Sequence, residues 1–316
     1  MSATSHIQRG ALVVAATAAT FAFGVAAPAR ASYGWPLKPF HQQHPVRAFF
    51  GDPRIAGNDE AHGTFHFGID ISAPNGTPVY ATLDGVASIH PLHHDTVIVS
   101  AGGGVAHEYW HVVPAIVPGQ RVVAYKTVVG HVEAPWRHVH FSEAVDYRYV
   151  NPLRPGALEP YRDTRAPSVR RIFFEHDGVA AGDRLSGTVD LVAEACDFPS
   201  LQPPGPWRDA PLVPTRVEWK LVGRRGVRAA ASSGWHAAAD FRTFLPTVPF
   251  ASVYARWTRQ NHPDLNHRLG RYRFVLARAF ETRLLPNGAY RLVVRALDTR
   301  GNVGVSSRAF TVENGM

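Results

Sequence analysis

One cysteine, Cys196, and two methionines are all the sulfur in a chain of 316 residues. A single cysteine rules out any intramolecular disulfide. Stability must then come from buried apolar surface, and 45% hydrophobic residues at this length supply enough for about two domains. Cys196 itself reads as a small buried apolar residue. Lysine is nearly missing as well. It occurs only at positions 38, 126 and 220, so arginine carries the formal charge of +8. That charge is scattered, without an aromatic-interleaved basic patch or a nucleic-acid motif. This argues against a nucleic-acid partner and leaves anionic polymers as the partners the charge would favour. A long apolar run occurs once, from Gly10 to Ala27. Arg9 ahead of it and Ala29-Arg30-Ala31 behind it make residues 1–31 a signal peptide, cleaved after Ala31. The expectation is an exported chain with no stable membrane span after processing.

Sustained helical periodicity is also absent. In its place stand short β-branched or aromatic segments: Thr77 to Ala81, Val86 to Ile89, Thr96 to Ser100, Arg121 to Tyr125 and His138 to Phe141. Turn signals separate them, among them Pro74-Asn75-Gly76, Asp84-Gly85, Gly102-Gly103-Gly104 and Pro118-Gly119. The pattern predicts an all-β chain whose first domain, residues 32–160, is antiparallel. The second half repeats the idiom at Val169 to Phe174, Leu185 to Ala195, Thr215 to Leu221 and Ala289 to Asp298. In the last of these Tyr290, Leu292, Val294 and Ala296 share one face. Through Leu185-Ser-Gly-Thr-Val and Leu285-Pro-Asn-Gly-Ala-Tyr…Asp298-Thr-Arg-Gly-Asn, residues 161–316 resemble an immunoglobulin-like or fibronectin-like β-sandwich. Residues 199–214 and 223–284 are excursions such a sandwich does not need.

Histidine is the most unevenly placed residue: of 17, twelve lie between His41 and His140. In Phe65-His66-Phe67-Gly68-Ile69-Asp70-Ile71, strict alternation sends Phe65, Phe67, Ile69 and Ile71 to a core and His66, Gly68 and Asp70 to the other face. A straight strand would hold the His66 and Asp70 Cα atoms about 13 Å apart, near the limit for sharing one ion. A bend is therefore expected, and Gly68 is where it is easiest. In Arg137-His138-Val139-His140-Phe141, two histidines at i and i+2 face one way while Val139 and Phe141 face a core. Their Cα atoms lie roughly 7 Å apart, so one imidazole can bind a metal while the other stands beside it. His111 follows the aromatic stretch Glu108-Tyr109-Trp110.

These three pieces, in this order, resemble the lysostaphin-type zinc metalloendopeptidases, exported enzymes that cut peptide bonds in bacterial peptidoglycan. The family pattern is His-x-x-x-Asp, then a histidine at a strand end, then His-x-His, matched here by His66 to Asp70, His111, and His138 to His140. Gly68 to Ala81, Asp84-Gly85-Val86-Ala87 and Pro118 to Val122 extend the likeness over roughly residues 45 to 155. The resemblance implies an antiparallel β peptidase domain with a substrate groove and one Zn2+ per chain. His66, Asp70 and His140 would be the metal ligands, and His111 and His138 the catalytic residues flanking the open coordination position. Which of the two is the general base stays open at this stage. It further implies peptidoglycan stem peptides or bridges as substrate, anionic wall polymers as further partners, and an extracellular, cell-wall or periplasmic location. Three N/O ligands with one open position are what a catalytic zinc needs, whereas a structural zinc is closed by four.

Two departures stand out. Gly130-His131-Val132-Glu133-Ala134-Pro135-Trp136-Arg137 is short and bulky where the family has a small-residue loop, which would reshape one groove wall. Ser142-Glu143 replaces a glutamate directly after Phe141, consistent with a register change at the strand end. The cluster His90, His93, His94 and Asp95 reads as a solvated turn, and His62 and His107 as neighbours of the centre. Asp240, Asp264 and Asp298 have no spacing that builds a calcium loop. Two other readings are compatible with the sequence: a catalytically silent wall-binding regulator of another peptidoglycan hydrolase, and a secreted metallopeptidase acting on protein. The oligomeric state, the scissile bond and the ligand of the second domain are not encoded in any recognisable motif.

Overall fold

The computed structural model describes residues 32–55, 63–176, 178–223 and 234–315. Residues 1–31, read as a signal peptide, and His62 lie outside the described residues. No described helix is long and apolar enough to cross a membrane.

The chain is nearly all β, as its composition demands. In the first half an eight-stranded sheet runs Val46–Ala48, Ile69–Ser72, His138–Val145, Val105–Trp110, Thr96–Gly102, Gly85–Ile89 and Arg121–Val122, with Arg148–Val150 paired to one end of His138–Val145. Its neighbours pair antiparallel. A three-stranded sheet of Pro78–Tyr80, Val128–Val132 and Val112–Pro114 closes the same core. Ile69, Ile71, Val97, Val99, Tyr109, Val139 and Phe141 are fully buried in it. Burial of this kind contributes roughly 25 cal/mol per Å² of apolar surface and fixes which face of each strand points outward.

The alternation expected at residues 65–71 is broken. The strand stops after Thr64–Phe65 and resumes at Ile69–Ser72, with a bend at Gly68. Phe67 consequently leaves the core and packs against Trp110, Tyr149 and the ring of His140. At the far end, the expected register change after Phe141 does not occur: pairing continues in step from His140 to Ala144 opposite Val105–Trp110. Glu143 turns to the back of the sheet, where Arg154 grips it bidentately at 2.6 and 2.7 Å and Tyr33 donates to it.

In the second half, Ser168–His176, Thr188–Cys196 and Arg273–Glu281, with Val179–Ala180 at the edge, form one sheet. Arg184–Leu185, Val303–Val312, Gly288–Leu297, Arg216–Gly223 and His236–Asp240 form a second. Tyr290, Leu292, Val294 and Ala296 are all buried, as their alternation predicts, and Cys196 is buried as a free thiol.

Residues 223–284 are therefore not wholly an excursion, since they supply Arg273–Glu281 to the first of these sheets and His236–Asp240 to the second. Other described parts of 199–214 and 223–284 dock this half onto the first. Phe241, fully buried, seats its ring over Gly51, where a Cβ would lie 2.4 Å from it. Gly51 also holds φ +90°, so both backbone and space demand glycine there. Tyr254 donates to the Gly51 carbonyl at 2.6 Å, and the Asn151 amide donates to the Phe241 carbonyl at 2.9 Å. From the other excursion, the Val213 N–H donates to Asp52 at 3.1 Å. Replacing Phe241 by Ala empties this seam and should cost about 3–5 kcal/mol of unfolding free energy, read as a lower urea midpoint. A loss below about 1 kcal/mol would mean the ring does not bear on the seam.

Candidate metal centre

The site is built on the middle of the larger sheet. Antiparallel pairing sets Asp70 directly opposite His140 and Ser72 opposite His138, while Trp110 flanks His140 on the other side. His138, His140 and Ser142 therefore share one face, and Val139 and Phe141 are buried on the other, as the i, i+2 spacing requires. His66 enters from the bend. Gly68 permits this approach, since a Cβ there would meet the Phe141 carbonyl at 2.4 Å and the His140 ring at 2.7 Å.

Each imidazole has one nitrogen turned outward to a partner. His66 Nδ1 donates to the Phe49 carbonyl at 2.8 Å, and His140 Nε2 lies 2.8 Å from Ser142 Oγ, which can accept its proton. The inward atoms are then His66 Nε2, His140 Nδ1 and Asp70 Oδ1. They lie 2.7 Å apart between the two rings and 3.1 Å from each ring to the carboxylate. With both outer nitrogens protonated, three lone-pair acceptors face one point with no hydrogen to share. Such a donor set fits a cation of zinc type, bound at about 2.0–2.2 Å by nitrogen and oxygen. His66, Asp70 and His140 thus form a cluster able to hold a metal, all three buried.

Electrostatics agree with that use. Burial pushes His140 down to about 4 and His138 down to about 3, and it lowers His66. The rings are therefore neutral at pH 7, the form that binds metal. Burial works against ionisation of Asp70, yet His66, His138 and Arg54 hold it well below the usual carboxylate range. Arg54 does so by donating to Asp70 Oδ2 at 2.9 Å, on the side away from the histidines.

The two further histidines stand beside this cluster. His138 Nε2 lies 3.5 Å from Asp70 Oδ1. His111 sits where the chain leaves one sheet and enters the other, with φ 63°, an uncommon conformation for a non-glycine residue. Its ring is 4.9 Å from that of His138 and 6.3 Å from that of His140. Trp136, from the bulky 131–137 stretch, stacks on His111 at 4.2 Å and supplies an aromatic wall. All five residues expected from the sequence therefore come together.

Sequence reasoning missed six neighbours. Asp95 Oδ2 faces His111 Nδ1 at 3.2 Å, so the 90–95 turn is part of the site rather than merely solvated. His90 and His93 pack on Trp110 at 5.3 and 4.9 Å. Arg47 Nη2 approaches His138 Nδ1 to 2.6 Å, Arg54 holds Asp70, and Ser142 holds His140. No local signal marks Asp95, Arg47 or Arg54, because each reaches the site from a separate segment. Ser142 was visible as the residue at i+2 from His140, on the same strand face. His107 points to the back of the sheet, against Thr82 and Phe141, and takes no part.

A cavity of about 320 Å³ lies against Arg47, the residue that reaches His138. It is lined by Arg47, Ala73, Pro74 and Arg137 from the first half and by Trp207 and Asp264 from the second. Trp207 lies over the Arg47 guanidinium at 4.4 Å.

No curated protein matches the chain. Among solved structures, a zinc-containing peptidase from Vibrio cholerae is 24% identical over 39% of this chain and 39% of its own, with a TM-score of 0.32. A putative M23 peptidase from Pseudomonas aeruginosa is 26% identical over 38% of this chain and 51% of its own, at TM-score 0.24. The deep-sea M23 metalloprotease pseudoalterin is 17% identical over 48% of this chain and 94% of its own, at TM-score 0.29. The model of Peptidase family M23 matches residues 64–152, from the strand before His66 to the turn beyond Arg148–Val150. That stretch holds all five site residues, and it is a domain of the M23, lysostaphin-type peptidase family.

Proposed function

We propose that the chain is an exported zinc endopeptidase that hydrolyses peptide bonds in bacterial peptidoglycan cross-links or bridges, with His66, Asp70 and His140 holding one zinc ion. The observation that carries this reading is the convergence of three acceptor atoms within 3.1 Å, framed by two more neutral imidazoles. Bound there, zinc would acidify a water and polarise the scissile carbonyl. The remaining chemistry belongs to the protein. His111 Nδ1–H donates to Asp95, which leaves Nε2 as an acceptor and makes His111 the general base. His138 Nδ1 is held between Arg47 Nη2 at 2.6 Å and the Trp136 carbonyl at 2.8 Å, which leaves Nε2 facing the cluster. With its proton on Nε2, His138 would stabilise the oxyanion. Arg137, exposed beside the cavity, suits a peptide that carries a carboxylate.

The same reading extends to the second half. We propose that residues 32–160 form the peptidase domain and residues 161–316 an immunoglobulin-like sandwich that binds or spaces the enzyme at the wall. The antiparallel first sheet, the second sheet of five strands, and the parallel pairing of Arg184–Leu185 with Val303–Val312 support it.

The full chain, zinc-loaded, should release new peptide termini from purified peptidoglycan, identified by mass spectrometry. His140→Ala should lose stoichiometric zinc and all cleavage. An unchanged sacculus with zinc bound would instead favour the silent regulator or a protein substrate. Asp95→Asn should keep its zinc but lose about 10–100-fold in kcat, because His111 is no longer oriented. Burial lowers both His111 and His138, so each stays neutral to a lower pH than free imidazole. The limb of the kcat/KM profile that Asp95→Asn displaces should accordingly lie below pH 6.5; a displaced limb above it would exclude His111 as base.

A further inference from the structure

A second group of chemistry-bearing side chains lies away from the zinc centre, at the root of the C-terminal half. Asp163 comes from the segment joining the two halves. Asp197 follows Thr188–Cys196 in one sheet, and Asp298 follows Gly288–Leu297 in the other. They are 6%, 0% and 6% exposed, and each offers a carboxylate oxygen within 4.8 Å of the other two.

Their hydrogen bonds divide the oxygens into two sets. Asp163 Oδ1 accepts from the Arg165 and Ser200 N–H groups at 3.1 Å and from Ser200 Oγ at 2.8 Å. Asp298 Oδ1 accepts from the Arg300 and Asn302 N–H groups at 2.8 and 2.9 Å. Asp197 Oδ1 accepts from the Phe198 N–H at 2.8 Å. The Oδ1 atoms are thus anchored by backbone. Of the Oδ2 atoms, that of Asp163 has only the Tyr161 hydroxyl at 3.4 Å, and that of Asp298 has the Asn302 amide at 2.6 Å. Asp197 Oδ2 is buried with no hydrogen-bond partner at all among the described residues.

Among the described residues none of the three carboxylates forms an ion pair. Arg165 acts on Asp197 only through space, with its guanidinium over Phe198 at 5.2 Å, and Arg300 lies over the Tyr161 ring at 5.0 Å and reaches Glu159 at 3.2 Å. Three carboxylates buried together without an ion-pair partner are strongly unfavourable, and they persist when a proton or a cation is shared among them.

We propose that Asp163, Asp197 and Asp298 form a metal site for a hard divalent cation, calcium, which ties the interdomain segment to both sheets of the C-terminal half. An all-oxygen set suits calcium or magnesium and sets this site apart from the N,N,O zinc centre. Calcium is favoured over magnesium because the ligands come from three independent segments, which suits its flexible coordination better than the near-ideal octahedron that magnesium demands. The backbone N–H groups on each Oδ1 atom hold the carboxylates in place ahead of binding, as supporting groups do at other metal sites. The Asn302 amide, which also donates to the Asp163 carbonyl at 2.9 Å, links the two flanking segments directly.

The test uses the full chain with its zinc site saturated. Isothermal titration with CaCl2 should show one additional site per chain, and calcium should raise the melting temperature more than an equal concentration of MgCl2. Asp197→Asn, nearly isosteric, should weaken calcium binding at least about tenfold and abolish the thermal shift, with zinc content unchanged. Asp298→Asn, at the edge of the cluster, should weaken binding in the same direction and guards against misfolding of the first variant. Neither heat nor thermal shift from calcium or magnesium in the wild-type chain would overturn the site. So would calcium binding that both variants leave intact. An Asp197→Asn protein that melts higher, beside a wild-type chain blind to cations, would assign the cluster to a shared proton instead.

Discussion

The register between Ile69–Ser72 and His138–Val145 is the constraint on which the site depends. It places Asp70 opposite His140, and a slip of one residue would turn both side chains into the core and bring Ile69, Ile71, Val139 and Phe141 out to solvent. Those four residues are buried on the core face, so the hydrophobic effect that stabilises the sheet also enforces the metal geometry. Only His66 escapes this control. Its position is set instead by the bend at Gly68 and by the bond from Nδ1 to the Phe49 carbonyl.

Because three acceptors are crowded together out of water, the supporting groups matter as much as the ligands. Arg54 neutralises Asp70 from behind, Ser142 fixes which nitrogen of His140 faces inward, and Phe49 does the same for His66. A neutral, oriented ring costs less to bring to a cation than a protonated one, and burial keeps these rings neutral. The same low-dielectric setting sharpens any charge that develops nearby. Function and instability are therefore placed at one spot, and the surrounding packed sheet tolerates it.

Much of this was legible in the sequence because its signals are local. Alternation gave away the strands at 138–141 and 289–298, and the i, i+2 and i, i+4 spacings exposed the two motif pairs. Where local rules stopped, the reading stopped. Phe67 was assigned to the core by strict alternation, but the bend at Gly68 rotates it onto His140. Asp95 looked like one more polar residue in a turn, since nothing in the sequence says that the strand before His111 ends beside it. Asp298 was weighed only with aspartates near it in the second half. Asp163 and Asp197, its spatial companions, lie 135 and 101 positions away. Residues 199–214 and 223–284 were read as excursions, yet the second range supplies Arg273–Glu281 and His236–Asp240 to the two sheets, and the rest takes its role from tertiary packing.

That packing changes what the second half means for the first. Trp207 covers Arg47, Asp264 stands 3.7 Å from the same guanidinium, and Arg47 in turn touches His138. A side chain beside the zinc centre is thus held partly by residues that arrive about 160 and 217 positions later. Removing the C-terminal half would expose Phe65 and Gly51 and would also leave Arg47 without its aromatic cover. The second half therefore closes over a residue of the site, and its Trp207 and Asp264 belong to the surroundings of His138 as much as to their own half.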